Sequence, residues 1–275
     1  MTATRQPCEF FVTHTVTKMS HCLSKLCCMM LIKYLRLLAA FANAFAILWF
    51  KFPRASREQK LAHIQNWCAH VLKIMGVQLN IAKSPTLSPP DKTQLLVANH
   101  VSWLDVLVIQ ALQPCVFVAK SEVRQWPLVG SLAKACGVVF VDRSSSSAAR
   151  KMVEDVATAL HHGYCVAGFP EGTSSEGHAV SLFHANLFEA AIDRDADVLP
   201  LALRYTDPST DELCLKAAFV GDIGFISSLH QVMGMRQVDV DVNIGKTLSP
   251  LGHSRRTLAH LSHRCVASQL AALSY

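Results

Sequence analysis

From residue 94 onward, short apolar runs alternate with stretches whose apolar residues recur at helical spacing. Apolar runs of this length predict buried strands, and they lie at 94–98, 115–119, 138–141, 164–169, 198–203, 213–220 and 238–244. The amphipathic stretches predict helices at 103–111, 144–161, 182–192 and 255–273. Alternating strands and helices are typical of an α/β domain, so we expect a mostly parallel sheet flanked by helices.

The N-terminal quarter is dominated by one long apolar run. Residues 37–50 contain a single polar residue, Asn43, and basic residues precede and follow them. The run is shorter than the roughly 20 residues that a helix needs to cross a bilayer. We therefore expect an interfacial or re-entrant membrane helix, with an ordinary buried helix as the alternative. A second amphipathic helix is predicted over 56–75, with Gly76 at its end.

Composition divides the chain into three segments. Residues 1–28 show little periodicity and are expected to form a loose N-terminal extension. Residues 29–83 are expected to form a membrane-docking helical segment. The run 84–92 is rich in Pro and Ser and predicts a linker or turn. The α/β domain is expected to occupy 84–275.

Basic residues are concentrated in the N-terminal quarter. Residues 1–75 hold ten Lys and Arg and two acidic residues, a net charge of +8, whereas the other 200 hold sixteen and eighteen, a net charge of −2. A cationic, apolar segment suits an anionic membrane surface, and the distribution argues against nucleic acid as a partner. With 51% hydrophobic residues the chain can fill a large core, which excludes a disordered protein.

The ten cysteines are scattered, and no C-x-x-C pair indicates a zinc or redox site. Several, such as Cys136 and Cys165, lie within apolar runs. Free thiols in this number are typical of a reducing compartment. We therefore expect no metal site, and we expect a protein associated with the cytoplasmic face of the inner (plasma) membrane.

Polar residues with possible chemical roles follow three of the predicted strands. After 94–98 come Asn99, His100, Ser102 and Asp105. Ligands of open α/β sheets bind beyond the carboxyl ends of the strands. A carboxylate shortly after the histidine can fix the tautomer of the imidazole and leave its other nitrogen as a general base. Alternatively, Ser102 or Asp105 simply caps the next helix.

The other two groups follow the third and fourth predicted strands. The first contains Asp142 and Arg143, and the arginine can either bind a phosphate or form an ion pair with its neighbour. In the second, AGFPEGTSSEG, Gly172 allows a ligand to approach the backbone closely. Glu171 then points into a crevice or lies on a surface turn. The segment matches neither a P-loop nor a dinucleotide-binding fingerprint.

Together these groups resemble the motifs of the phospholipid/glycerol acyltransferase family. NHVSWLD (99–105) is similar to the N-H-x-x-x-x-D motif, GVVFVDR (137–143) to the second block, FPEGTS (169–174) to the third and VLPLAL (198–203) to the hydrophobic-Pro block. Order and spacing agree over roughly 73–203. The resemblance implies an acyltransferase-type α/β fold with membrane-associating helices before it.

The resemblance also implies a reaction. A fatty acyl group would pass from a thioester of coenzyme A or acyl carrier protein to the free hydroxyl of a lysolipid, with no further cofactor. His100 would deprotonate the hydroxyl and Asp105 would orient the imidazole, without an acyl-enzyme. The residues implied to bind the substrates are Asn99, Ser102, Arg143, Phe169, Pro170, Glu171, Gly172, Thr173 and Ser174.

One position departs from the glycerol-phosphate members of the family. Many of them have arginine where this chain has Ser174, so an obvious phosphate ligand is missing. FPEGTSSEG, FVAKSEV and the Trp-Pro-Leu run at 126–128 also resemble the lyso-ornithine lipid acyltransferases.

We expect an enzyme of phospholipid biosynthesis that converts 1-acylglycerol-3-phosphate to phosphatidic acid. A lyso-ornithine lipid acyltransferase and a non-catalytic lipid-binding protein are the alternatives. A soluble hydrolase using Ser102 would lack the G-x-S-x-G motif.

Overall fold

The computed structural model describes the backbone of residues 9–82, 93–141 and 146–273, and the side chains of 27–82, 93–141 and 147–273. The strands of the described chain are β1 (Val77–Ile81), β2 (Gln94–Ala98), β3 (Val116–Lys120), β4 (Val139–Val141), β5 (Val166–Gly168), β6 (Asp197–Thr206) and β7 (Val238–Ile244). The α-helices are α1 (Glu9–Ala46), α2 (Arg57–Met75), α3 (Leu104–Leu112), α4 (Val129–Ala135), α5 (Ser146–His161), α6 (Asn186–Asp193), α7 (Phe225–Gly234) and α8 (Arg255–Ala272).

The seven strands form one sheet in the order β1-β7-β6-β2-β5-β3-β4. Neighbouring strands are parallel except β6 and β7, which are antiparallel. The prediction of an α/β fold with a mostly parallel sheet is confirmed. β2 lies between two parallel neighbours and all its residues are buried, as expected for a strand covered by helices on both faces.

Two apolar layers, one on each face of the sheet, form the core. Leu96 and Ala98 of β2 belong to the layer that contains residues of α1, α2, α3 and α7. Leu95 and Val97 belong to the opposite layer, with residues of α5, α6 and α8. The alternation follows from the two-residue period of a strand. The N-terminal helices therefore pack on the same face of the sheet as α3, which carries Asp105.

α2 begins and ends where its sequence predicts. Ser56 Oγ accepts a hydrogen bond from the Gln59 N–H at 3.3 Å, and the Gln59 side chain accepts one from the Ser56 N–H at 3.0 Å, which is a capping box. Gly76 follows the helix with a φ of 84°, and a Cβ there would lie 2.7 Å from the Arg236 carbonyl oxygen. Glycine is therefore required at this helix end.

One face of α1 packs on the protein, and the opposite face is apolar and exposed. Leu37, Ala40 and Ala44 are buried. The helical stretch Cys27–Arg54, which includes a π-helical turn at Ile47–Lys51, is long and apolar enough to cross a membrane. Its exposed large apolar side chains are Leu31, Ile32, Leu35, Leu38, Trp49 and Phe50.

Lys33 ties α1 to the rest of the protein. Its Nζ donates to the carbonyl oxygens of Met75 at 2.8 Å and Met235 at 2.6 Å. These carbonyls lie at or just beyond the carboxyl ends of α2 and α7, where a helix leaves carbonyl groups without internal partners. The described part of α1 begins at Glu9, inside the segment expected to be a loose extension.

Some elements differ from the sequence prediction. The strand predicted over 213–220 is wrong: Leu213 forms one isolated bridge to Thr206, and a 3-10 helix follows at Leu215–Ala217. The run is apolar because residues such as Cys214 and Ala217 are buried. It does not form a strand of the sheet. β1, α4 and α7 were not predicted. The linker expected at 84–92 lies outside the described residues.

Candidate active site

The candidate site lies at the carboxyl end of β2. The strand ends at Ala98, and a short loop carries His100 to α3, which begins at Leu104. Asp105, the second residue of α3, is fully buried, whereas the His100 side chain is 21% exposed. The carboxylate points back from the first turn of the helix to the loop that precedes it.

The Asp105 carboxylate accepts hydrogen bonds on both oxygens. Oδ2 accepts from His100 Nδ1 at 2.7 Å and from the N–H groups of Val101 at 2.7 Å and Ser102 at 2.9 Å. Oδ1 accepts from the Tyr205 hydroxyl at 2.7 Å. The carboxylate therefore binds both the imidazole and the loop before α3, whereas neither Ser102 nor Asp105 forms a side-chain cap of that helix.

The bond between His100 and Asp105 fixes which ring nitrogen can act as a base. An ionised carboxylate only accepts hydrogen bonds, so the network assigns the proton of the neutral ring to Nδ1. Nε2 then keeps its lone pair and can take a proton from a hydroxyl. The resulting imidazolium is stabilised by the adjacent carboxylate.

Tyr205, on β6, is a member of the site that sequence reasoning missed. Burial, and then the nearby Asp105 carboxylate, raise the pKa of its hydroxyl well above the ordinary value, so it remains a donor. A signal was present, since Tyr205 shares a face of β6 with the buried Leu201 and Leu203. A tyrosine among buried residues needs a partner for its hydroxyl.

Asn99 and Ser102 are both buried. Asn99 Nδ2 donates to the Leu203 carbonyl at 2.9 Å, and its Oδ1 accepts from the Leu203 N–H at 2.8 Å. This pair fixes the end of β2 to β6, next to the position of Tyr205. Ser102 Oγ has no hydrogen-bond partner among the described residues.

The loop after β5 packs against His100 from a second direction. The Phe169 ring stacks on the imidazole, with centroids 4.0 Å apart and planes 7° apart. Glu171 Oε1 accepts from the His100 N–H at 2.6 Å, and its Oε2 accepts from the Ser181 N–H at 2.7 Å. Glu171 therefore holds the backbone of His100, whereas Asp105 holds its ring.

The environment of Glu171 makes its carboxyl harder to ionise. Burial raises the pKa of Glu171, and the N–H groups of Ser181 and His100 act in the opposite direction. Both N–H groups are donors and suit the ionised form. The geometry around His100 therefore depends on the charge of this carboxyl.

Other contacts hold the same loop in place. Gly172 has a φ of 80°, a conformation that favours glycine. The Ser175 N–H donates to the His100 carbonyl at 2.9 Å, and the Ser174 hydroxyl donates to the Phe219 carbonyl. Glu171 and Ser175 thus bind the backbone N–H and the carbonyl of His100, and the hydroxyl of Ser174 is bound to the chain itself.

A cavity of about 700 Å³ opens beside His100. The loop after β5 contributes Phe169, Pro170, Gly172, Thr173 and Ser174 to its wall. Most of the remaining wall is apolar, which suits an acyl chain. Its apolar residues from the N-terminal helices and α7 include Leu37, Leu38, Phe41, Trp67, Val71, Phe225, Ile226 and Leu229.

Lys120 is a second residue that sequence reasoning did not select. It lies at the end of β3, and of the described residues that line the cavity it is the only Lys or Arg. Glu122 and His184 line the same cavity. Arg143 lies outside the described residues, so its place beside the cavity remains a prediction.

Within the described ranges, no group of three or more His, Cys, Asp and Glu side chains is arranged to hold a metal ion. The cysteines described there are free. Burial raises the pKa of the Cys136 thiol to about 11. A thiol in this environment behaves as a small apolar residue.

Comparison with known proteins agrees with this geometry. A family model described as Acyltransferase matches residues 80–204. The lyso-ornithine lipid O-acyltransferase of Pseudomonas aeruginosa is 33% identical over 73% of this chain and 75% of its own. The 1-acyl-sn-glycerol-3-phosphate acyltransferase of Neisseria meningitidis serogroup B is 34% identical over 63% of this chain and 66% of its own.

A solved structure has the same fold. The crystal structure of the 1-acyl-sn-glycerophosphate (LPA) acyltransferase PlsC from Thermotoga maritima matches 90% of this chain and 96% of its own, with a TM-score of 0.67 and 18% identity. The matched family segment contains both His100 and the loop after β5. With the identity to the Pseudomonas aeruginosa protein over most of both chains, these findings show that the chain belongs to the acyltransferase family.

Proposed function

We propose that the protein is a membrane-bound lysolipid O-acyltransferase that takes a fatty acyl group from acyl-CoA or acyl carrier protein. The observation that carries the proposal is the hydrogen-bonded His100–Asp105 pair beside an apolar cavity of about 700 Å³. The pair supplies a base for a hydroxyl, and the cavity offers space for a chain of methylene groups. The names of the similar proteins support the same substrate class.

In the proposed reaction, His100 Nε2 removes the proton of the acceptor hydroxyl as its oxygen attacks the thioester carbonyl. A C–O bond forms, the C–S bond then breaks, and the proton on the imidazolium passes to the leaving thiolate. Asp105 stabilises the imidazolium between these two steps. Backbone N–H groups of the loop after β5 are the proposed donors to the oxyanion of the tetrahedral intermediate.

Membrane attachment is assigned to the segment 29–83 and catalysis to the α/β domain in 84–275. The exposed apolar face of α1 and the net charge of +8 over residues 1–75 support a cytoplasmic, anionic lipid surface as the partner. The cavity is lined by both N-terminal helices. A lipid substrate would then reach His100 without leaving the apolar surroundings of the bilayer.

For the acceptor we propose 1-acylglycerol-3-phosphate, which gives phosphatidic acid. A phosphate dianion needs cations, and Lys120 lines the cavity. Arg143 is the expected second cation, by its position in the motif GVVFVDR.

A lyso-ornithine lipid is the second candidate acceptor. Ser174 occupies the position of the arginine that many glycerol-phosphate members have, and its hydroxyl is bound to the Phe219 carbonyl. An acceptor that carries a carboxylate and an amine does not need a cation there. The similarity to the Pseudomonas aeruginosa protein also favours this candidate.

The test is a lipid assay of the full-length protein in mixed micelles. Both lysolipids are offered side by side with acyl-CoA or acyl-loaded carrier protein, and the products are measured by mass spectrometry. We expect phosphatidic acid to form with the higher kcat/KM. Preferential formation of ornithine lipid would instead identify a lyso-ornithine lipid as the acceptor. If neither lysolipid is acylated while the folded protein still binds lipid, the protein is a non-catalytic lipid-binding member of the family.

A further inference from the structure

Two side chains bind the carboxylate of Asp105 on different oxygens. His100 Nδ1 lies 2.7 Å from Oδ2, and the Tyr205 hydroxyl lies 2.7 Å from Oδ1. Tyr205 is 2% exposed and is not among the described residues that line the cavity. The Tyr205 hydroxyl therefore does not contact a substrate in the cavity, and its hydrogen-bond partner is Asp105.

We propose that Tyr205 is a positioning residue that sets the basicity of His100 through Asp105. The inference rests on the proposed function, in which His100 is the base. A hydrogen bond donated to a carboxylate stabilises its negative charge and reduces its attraction for a neighbouring cation. With the phenol in place, the imidazolium is therefore less stabilised, and the neutral base persists to lower pH.

β6 and its neighbours hold the phenol in place. Tyr205 is in register with Val240 of β7, and its carbonyl accepts from the Cys214 N–H at 3.0 Å. Two residues earlier on β6, Leu203 is bound through both backbone groups to the Asn99 side chain. The same strand therefore binds Asn99, which precedes His100, and supplies the donor to Asp105, which follows it.

The other titratable groups around the pair remain in place when the phenol is removed. Glu171, from the loop after β5, binds the His100 N–H, and the cavity is also lined by Lys120, Glu122 and His184. Within the described chain, Asp105 forms an ion pair with His100 alone. Replacing Tyr205 by phenylalanine thus changes one hydrogen bond near the carboxylate and none of these charges.

The experiment measures the imidazole titration of His100 by NMR in the full-length protein, selectively labelled at histidine, in micelles. In Tyr205→Phe we expect the midpoint to rise by about half a pH unit, because Oδ1 loses its donor and the imidazolium is better stabilised. The midpoint of the acid limb in the pH profile of kcat/KM should move to higher pH by the same amount. Because the base is then stronger, we expect kcat/KM on its plateau to rise by roughly twofold, with the KM for the lysolipid nearly unchanged.

The matched control is Tyr164→Phe. The ring of Tyr164 lies under the Arg57 guanidinium at 4.0 Å, and this tyrosine is not among the described residues that line the cavity. We expect the titration of His100 and the pH profile to match those of the wild type. A shift in this variant equal to that of Tyr205→Phe would contradict the assignment, because loss of any tyrosine hydroxyl would then suffice.

A second replacement keeps the ring and the hydroxyl, so it also serves if Tyr205→Phe does not fold. Site-specific replacement of Tyr205 by 3-fluorotyrosine makes the phenol a stronger donor. The His100 midpoint should then move down, opposite to its movement in Tyr205→Phe. A purely structural role of Tyr205 predicts no such reversal of sign.

The two readouts separate the inference from the proposed function. A His100 titration that is unmoved in both replacements overturns the role of Tyr205, whatever the activity. Absence of acyl transfer by the wild type, together with opposite shifts of the titration, overturns the proposed function and leaves the tuning of His100 by Tyr205 supported.

Discussion

Two carboxylates bind the same histidine and do different things to it. Asp105, at the start of α3, accepts a hydrogen bond from the imidazole ring. Glu171, in the loop after β5, accepts one from the backbone N–H of the same residue. The first acts on the proton chemistry of His100 and the second on its position. Equal changes of charge at the two sites should therefore have different effects.

The partners of the two carboxylates explain the difference. Besides the ring, Asp105 binds the hydroxyl of Tyr205, which can also accept a hydrogen bond. Glu171 binds the N–H groups of His100 and Ser181, which can only donate. An amide in place of the carboxylate can keep its oxygen on the imidazole and donate to the Tyr205 oxygen, although the tyrosine O–H then loses its acceptor. It cannot satisfy the partners of Glu171, because its NH₂ group would face an N–H.

The largest effect is expected for His100→Ala, which removes the imidazole that Asp105 binds and keeps the backbone N–H that Glu171 binds. Loss of a general base typically lowers the rate by a factor of about 10² to 10⁴. Turnover of lysolipid is measured on protein whose folding is checked by circular dichroism. His260→Ala, at an exposed position on α8, is the matched control. Near-normal turnover by folded His100→Ala would exclude His100 as the base.

The next largest effect is expected for Asp105→Asn. Its amide oxygen can accept from the His100 ring and the loop N–H groups, while its NH₂ group donates to the Tyr205 hydroxyl. The hydrogen bonds are largely kept, but the negative charge that stabilises the imidazolium is lost. We expect kcat/KM to fall on the order of 10²-fold, and we expect the Tyr205 O–H, which loses its acceptor, to cost about 1 kcal/mol of unfolding free energy.

The control for this change is Asp241→Asn, at a β7 carboxylate that accepts from the Asn80 side chain. It removes the same charge and should leave kcat/KM unaltered. If Asp105→Asn retained more than half of the wild-type kcat/KM, the charge of Asp105 would have no role in the reaction.

For Glu171→Gln we expect a smaller loss of activity than for Asp105→Asn, together with a loss of stability. One part-buried N–H loses its acceptor, which costs about 1 kcal/mol of unfolding free energy, and kcat/KM should fall roughly tenfold as His100 shifts. Urea unfolding and steady-state kinetics measure the two quantities. A loss of activity as large as that of Asp105→Asn without loss of stability would remove the distinction between the two carboxylates.

The pH dependence of stability tests the same carboxyl. Burial raises the pKa of Glu171 in the folded protein, so over a range just above the ordinary carboxyl pKa the folded state binds a proton that the unfolded chain has lost. The free energy of unfolding contributed by this group therefore decreases as the pH rises through that range. Glu171→Gln lacks this contribution. A wild-type minus variant difference that does not change with pH would contradict the shift.

His100 and Asp105 could be assigned to one site from the sequence because they are close together in the chain. The loop between β2 and α3 can join their side chains whatever the rest of the fold. The strand prediction at 94–98 was confirmed for the same reason, since a short apolar run bounded by polar residues reports a buried strand.

Tyr205 and Lys120 could not be found in this way. Tyr205 meets Asp105 because β6 lies beside β2 in the sheet, and strand order is not encoded in the spacing of residues. Lys120 reaches the cavity from β3, which is separated from β2 by β5. α7 was missed although Phe225, Leu229 and Val232 recur at helical spacing, so for this helix the sequence did contain a signal.

The smallest effect is expected at Ser174, which lies on the same loop as Glu171. Substitutions at this residue distinguish the two candidate acceptors. Ser174→Arg adds a cation and removes the bond to the Phe219 carbonyl, whereas Ser174→Ala only removes that bond. The ratio of the two variants therefore measures the effect of the added guanidinium side chain. With lysophosphatidic acid we expect the arginine variant to have about fivefold higher kcat/KM than the alanine variant, because a phosphate gains a charged partner. With lyso-ornithine lipid, whose ammonium group would be repelled, the same ratio should fall below one. Steady-state kinetics of both variants on both acceptors gives the two ratios, and equal ratios would show that residue 174 does not contact the head group.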